Sequence, residues 1–218
     1  AYNRFENIAA DQEIISVKSQ NNDIHHNTFV TSSGSIVLRQ AVNCRVNDNV
    51  LIGAGIRVYG NSHTIFNNKI IRNPMTGTRR CLFLGSADIV DHWVGASGGA
   101  VGSSGTVIAS TADEAKVYNC NIHSNIFVND DVGTTNIIVL GDTTTQAIQP
   151  QSNFFSYNIV MAWTGTMTSA ISGAVGWNTN VLSGNIVYAT GSASVGTLPT
   201  SGHFAVHPGL LRLPDNTV

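Results

Sequence analysis

Charge is scarce in this chain: Asp, Glu, Lys and Arg make up 11% of its 218 residues, and the formal net charge is −2. With 42% apolar residues and 21 glycines, that profile argues against a helical bundle and for short strands separated by polar turns. Long apolar runs are missing too; the longest are strand-length, which excludes a membrane span. No signal-peptide pattern is visible, and the chain opens Ala-Tyr-Asn without a methionine, as a processed or trimmed chain does. Cysteine is limited to Cys44, Cys81 and Cys120, with no Cys-x-x-Cys spacing, so buried inert thiols are expected in place of a metal site. Also absent are a nucleotide-binding glycine loop, a nucleophile elbow, and carboxylates paired as in glycosidases or clustered as in pectinase-type hydrolases.

What the chain does have is a repeat. An apolar residue, two variable residues, an asparagine, one variable residue and a second apolar residue recur six times, at Ile24/Asn27/Phe29, Val46/Asn49/Leu51, Ile65/Asn68/Ile70, Ile122/Asn125/Phe127, Phe155/Asn158/Val160 and Leu182/Asn185/Val187. Asn3 and Phe5 read as the tail of a seventh copy. Such a period is about one coil of a solenoid. The expected fold is all-β: a right-handed parallel β-helix with an asparagine ladder at one corner and aliphatic stacks inside, a solenoid over residues 1–190 followed by a C-terminal cap or tail over 191–218. Cys44, His63 and Cys120 each lie two residues before a repeat's first apolar residue, so they share an internal stacking position and His63 reads as a satisfied core histidine.

A second register follows from the strands after each corner. Residues 14–19 (IISVKS), 35–40 (SIVLRQ) and 55–60 (GIRVYG) superimpose. Side chains alternate along a strand, so Ile15/Val17, Ile36/Leu38 and Ile56/Val58 point inward, while Ser16/Lys18, Val37/Arg39 and Arg57/Tyr59 point outward. Residues 81–85 (CLFLG) and 136–141 (NIIVLG) continue that sheet. Regularity breaks between Ser86 and Glu114; the Gly/Ser/Ala-rich stretch 94–110 reads as a long insertion loop. Thr-rich turns are expected at 143–145 and 164–169. The opening in mid-solenoid leads us to expect either a homo-oligomer or partner chain over the first coil, or upstream coils that have been removed.

Charge is also unevenly placed. Residues 1–80 hold nine of the eleven Lys and Arg and only five of the thirteen acids. A local basic stripe suits an anionic ligand held in one place, not nucleic acid held everywhere.

The candidate chemistry lies in that half. Asp11 and Glu13, two apart, suit calcium through carboxylate oxygen. Lys18 follows five residues beyond Glu13, an odd step that requires a bend near Ile14 to put both on the outer face. Arg39 falls 21 residues after Lys18, one coil on, and strand spacing of ~4.8 Å sets the two side by side. Neighbouring positive charge would lower the lysine's pKa and fit it for use as a base.

The segments DQEIISVKS, IVLRQAVNC and GIRVYGNSHTIFNNKI resemble polysaccharide lyase family 6, which holds alginate lyases and chondroitinase B; the resemblance is strongest over residues 1–85. It implies a secreted, extracellular or periplasmic carbohydrate-binding lyase that cleaves an acidic polysaccharide, alginate foremost, by calcium-assisted β-elimination. On this resemblance Lys18 is the base, Arg39 the acid or leaving-group stabiliser, Asp11 and Glu13 the calcium ligands, and Arg57 a substrate contact. Tyr59, in the same outward column, would line the same subsite. The rival reading is a non-catalytic β-helix that binds glycan or serves as an assembly subunit such as a tailspike, adhesin or filament. Outside this cluster, His25 and His26 alternate faces and would need a bend to ligate one metal together. His203 and His207 lie four apart in a loop.

Overall fold

The computed structural model describes residues 1–9, 12–72, 80–87, 89–91, 100–102, 107–108, 114–129, 136–141, 148–163, 165–170, 174–199 and 201–206. Over these the chain winds as a right-handed parallel β-helix with three walls. Wall A stacks Arg4–Glu6, Thr28–Val30, Val50–Ile52, Lys69–Arg72, Ile126–Asn129, Ile159–Ala162, Asn185–Ala189 and His203–Phe204. Wall B stacks Glu13–Val17, Ser35–Leu38, Gly55–Val58, Leu82–Leu84, Ile138–Leu140, Thr166–Ala170 and Ser194–Gly196. Wall C stacks Asp23–His25, Arg45–Asn47, Thr64–Phe66, Asn121–His123, Phe154–Ser156 and Val181–Ser183. Among the described residues no helix is long and apolar enough to cross a membrane.

The interior follows from strand alternation. In wall B the register aligns Ile36, Ile56, Leu82 and Ile138 in one inward column and Leu38, Val58, Leu84 and Leu140 in the next. All eight belong to one buried core, and full burial of such a side chain stabilises by about 1.5–3 kcal/mol. At the corner between walls C and A the chain turns on a single left-handed residue in each coil, His26, Asp48, Asn67, Ser124 and Tyr157 with φ near +55° and then Gly184 at +63°.

Immediately after that turn stands the asparagine ladder: Asn3, Asn27, Asn49, Asn68, Asn125, Asn158 and Asn185. Each Oδ1 from Asn27 onward accepts from both the backbone N–H and the Nδ2 of the asparagine one coil earlier, at 2.9–3.1 Å. From Asn49 on, Nδ2 also donates to a strand carbonyl, as Asn68 does to Val46. Buried turn backbone is thereby satisfied in every coil.

A second column precedes wall C: Asn22, Cys44, His63, Cys120, Asn153 and Asn180. His63 Nδ1 accepts from the Cys44 N–H at 3.1 Å and its Nε2 lies 3.0 Å from the Tyr59 carbonyl. Burial holds its pKa down to about 4. All three thiols are free and buried, and burial pushes those of Cys81 and Cys120 up to about 12.

Three features depart from the sequence expectation. The irregular stretch between Ser86 and Glu114 contains a three-stranded antiparallel sheet, Ile89–Asp91, Ala100–Gly102 and Val107–Ile108, where a plain loop was expected. Where a turn was expected within 164–169, Thr166–Ala170 is a wall B strand whose Met167 is fully buried, since β-branched threonines suit a pleated wall. The coils also run beyond residue 190, as Ser194–Gly196 and His203–Phe204 join walls B and A. Thr143–Thr145 and His207–Val218 lie outside the described residues.

Candidate active site on the outer face of wall B

The first two strands of wall B carry one irregularity. Glu13 pairs with Ser35, but Ile15 pairs with Ile36, so Ile14 is an extra residue and the register shifts between them. Such a bulge reverses the facing of everything before it. This is the bend that the odd step from Glu13 to Lys18 requires. Beyond it Val17 pairs with Leu38 and its carbonyl accepts from the Arg39 N–H at 3.0 Å. Lys18 and Arg39 are the next residues of these two strands, neighbours on the outer face, with Lys18 exposed. Arg39 Nη1 donates to Glu13 Oε1 at 3.4 Å, the two side chains being 36% and 19% exposed. Glu13 thus reaches across the coil step to the Arg39 guanidinium.

A second cluster lies one and two coils further. Val37, Arg57, Phe83 and Val139 form one outward column, and Tyr59 follows Arg39 in the adjacent one. Tyr59 therefore stands two residues along from Arg57, not in the same column. It is also 1% exposed, because it joins Phe83 and Val139 in a buried cluster separate from the interior core. Gly85 makes this packing fit: a Cβ there would come within 2.0 Å of Tyr59 Cε1. The Tyr59 hydroxyl accepts from Arg57 Nε at 3.0 Å and from Arg57 Nη2. Arg57 Nη2 also pairs with Glu114 Oε1 at 3.6 Å, and its guanidinium carbon lies 4.9 Å from the Tyr59 ring centroid. Arg80 approaches from the next coil, 4.5 Å over Phe83. Charged residues stacked on rings and paired with carboxylates are held in place more firmly than solvated surface ones.

The structure pairs Glu13 with Arg39 and Arg57 with Tyr59 and sets Lys18 just past the end of its strand, while Asp11 lies outside the described residues. Sequence reasoning missed Glu114, 57 residues from its partner and beyond the irregular segment, where no spacing points to it. It also passed over Phe83 and Gly85, although alternation along CLFLG faces both outward. Among the described residues, no group of three or more His, Cys, Asp or Glu could hold a metal ion. Of the two expected calcium ligands, Glu13 is the one among the described residues, and its carboxylate offers the hard oxygen that calcium takes. Four cations, Lys18, Arg39, Arg57 and Arg80, share this wall with two carboxylates, Glu13 and Glu114, a balance suited to a polyanion.

Comparison with known proteins bears on the fold and on its first coils. Residues 1–84, the stretch that carries Glu13, Lys18, Arg39 and Arg57, match the family model described as Chondroitinase B. Two solved structures share the fold. A mannuronic acid specific polysaccharide family 6 lyase enzyme from human gut microbiota superposes with a TM-score of 0.65 at 21% identity, over 86% of this chain and 40% of its own. A mutant of the PL6 family alginate lyase AlyGC superposes with a TM-score of 0.70 at 20% identity, over 98% of this chain and 27% of its own. The chain therefore spans less than half the length of either. No curated protein sequence matches it. The class these observations define is a right-handed parallel β-helix like that of polysaccharide lyase family 6.

Proposed function

We propose that this chain is a polysaccharide lyase, or the catalytic part of one, acting on a uronate polymer with alginate as the leading candidate. The observation that carries the reading is the Glu13–Arg39–Lys18 group on the outer wall, inside the segment that matches the chondroitinase B model. In β-elimination the proton leaves C5 of the uronate and the C5–H electron pair forms the C4–C5 double bond. The C4–O4 bond breaks, and O4 is protonated as it departs. Lys18, exposed at the strand end, is placed to take the C5 proton. Arg39, held by Glu13, stabilises the charge on O4 and protonates it directly or through a polarised water; the water route fits a guanidinium's reluctance to give up its proton. Arg57, fixed by Tyr59 and Glu114, binds a carboxylate of the polymer, and Tyr59 contributes by orienting Arg57.

Calcium completes the proposal, with Glu13 and Asp11 as its ligands. It would neutralise the uronate carboxylate and so acidify the C5 proton. A glycan-binding or assembly role without cleavage is the rival; the partly exposed, ring-stacked Arg57 serves it equally well.

The experiment is incubation of the folded protein with polymannuronate, polyguluronate and dermatan sulfate, with and without calcium, following ultraviolet absorbance of the unsaturated product. A calcium-dependent rise on one polymer is expected. Calcium should also raise the melting temperature, and Glu13→Gln should remove that shift.

A further inference from the structure

On the opposite side of the solenoid, at the corner between walls C and A, the chain brings two imidazoles together. His25 closes the strand Asp23–His25, and His26 takes the left-handed conformation at φ +55°. That single reversal supplies the bend that sequence alternation lacked. His25 Nδ1 and His26 Nδ1 stand 2.9 Å apart, with the ring planes at 88°. Both side chains are reachable from solvent. His26 lies one coil below Tyr2, whose ring is 4.9 Å from it, and one coil above Asp48.

Two further groups belong to the corner. Asn47, next in the His25 column, is 6% exposed, and its Oδ1 has no hydrogen-bond partner. Its orientation is fixed, because Asn47 Nδ2 donates to Asp48 Oδ2 at 2.6 Å; turning the amide over would face oxygen to carboxylate. Asp48 also accepts from Asn67. These hydrogen bonds, with the nearby charge of His26 and His25, hold its carboxyl below the usual range. The corner therefore presents two convergent aromatic nitrogens, an unpartnered buried amide oxygen and a close anion that is not itself a third ligand.

We propose that His25 and His26 form a binding site for a late divalent transition metal, Cu(II) before Ni(II) and Zn(II). Two nitrogens each about 2.0 Å from one ion stand about 2.8–2.9 Å apart in cis positions of a square plane, and about 3.3 Å apart in a tetrahedron. The 2.9 Å separation matches the square-planar arrangement that Cu(II) and Ni(II) favour. In the metal-free pair one Nδ1–H donates to the other Nδ1. On binding, both lone pairs turn to the metal and the shared proton moves to Nε2 through solvent. Water supplies the remaining oxygen donors, and Asp48 offsets the added charge. This site is independent of the lyase reading.

The test is titration of the intact chain with Cu(II), Ni(II) and Zn(II), read by calorimetry and by copper electron paramagnetic resonance. One Cu(II) per chain is expected, binding tighter than Ni(II) or Zn(II), with superhyperfine splitting from two imidazole nitrogens. His25→Asn and His26→Asn should each weaken it by at least about tenfold; asparagine accepts the left-handed backbone at position 26. His123→Asn, on the same wall, should change nothing. Unchanged copper affinity in His26→Asn, or a resonance signature without two nitrogens in the wild-type protein, would overturn the proposal.

Discussion

The asparagine corner and the outer face of wall B are built on the same coils and obey opposite rules. At the corner every rung does one job, satisfying turn backbone with an amide, and so every rung is asparagine from Asn3 to Asn185. On the outer face adjacent rungs differ: Lys18, Arg39, Tyr59 and Gly85 succeed one another in one column, and Val37, Arg57, Phe83 and Val139 in the next. Repetition marks where the solenoid is held together, and its loss marks where side chains have individual tasks. Substitutions should therefore separate cleanly into those that cost stability and those that cost activity.

Arg39→Ala should show a large separation. Lyase activity falls by about 10²–10³-fold if the guanidinium stabilises the departing oxygen. The melting temperature stays nearly fixed, because a partly exposed ion pair with Glu13 contributes little to stability. Asn68→Ala should do the reverse. It leaves Asn49 without its acceptor and strips donors from the Val46 and Phe66 carbonyls and from Asn125. At roughly 1–3 kcal/mol for each buried group left unmet, denaturant unfolding should show a loss of about 3–5 kcal/mol. Protein that remains folded should keep its specific activity.

His63 sharpens the comparison from the second column, where a titratable ring replaces an amide. Its folded-state pKa is about 4, below the ordinary 6.5, because burial disfavours the charged ring. The unfolded chain thus binds the proton first: stability from this group is unaffected above pH 6.5, declines as pH falls through that value, and levels off below pH 4, a total of about 3 kcal/mol. His63→Asn should flatten that acid limb of the unfolding curve. The smallest effect belongs to Gly85→Ala, whose Cβ displaces the Tyr59 ring. KM for the polymer should rise severalfold with kcat little changed, as Arg57 loses its hydroxyl partner.

How much of this was legible in the sequence follows the same division. The ladder, the inward stacks and the stacked position of Cys44, His63 and Cys120 were readable because a repeated task repeats its residue. The bulge at Ile14 was readable from parity alone, since Glu13 and Lys18 face the same way only if one residue is added. Tyr59's burial was not readable: it depends on Gly85 one coil on and on Phe83 beside it, a packing that no single strand encodes. Nor was the Arg57–Glu114 pair, which joins residues on either side of an irregular excursion. The short helix Ala174–Asn178, which buries Trp177 against Phe155, likewise answers a tertiary need and leaves no period. The His25–His26 contact was missed because alternation was assumed through a residue that adopts φ +55°.

Everything proposed for the site requires that the outer face of wall B does chemistry. The most direct test is the ultraviolet trace of Lys18→Ala beside the wild-type protein on the polymer that the wild type cleaves, with both shown folded by thermal melting. The account predicts a rise for wild type, a fall of about 10²–10⁴-fold for Lys18→Ala, and matching melts. Equal traces for the two proteins, or a flat wild-type trace on every uronate polymer, would contradict it.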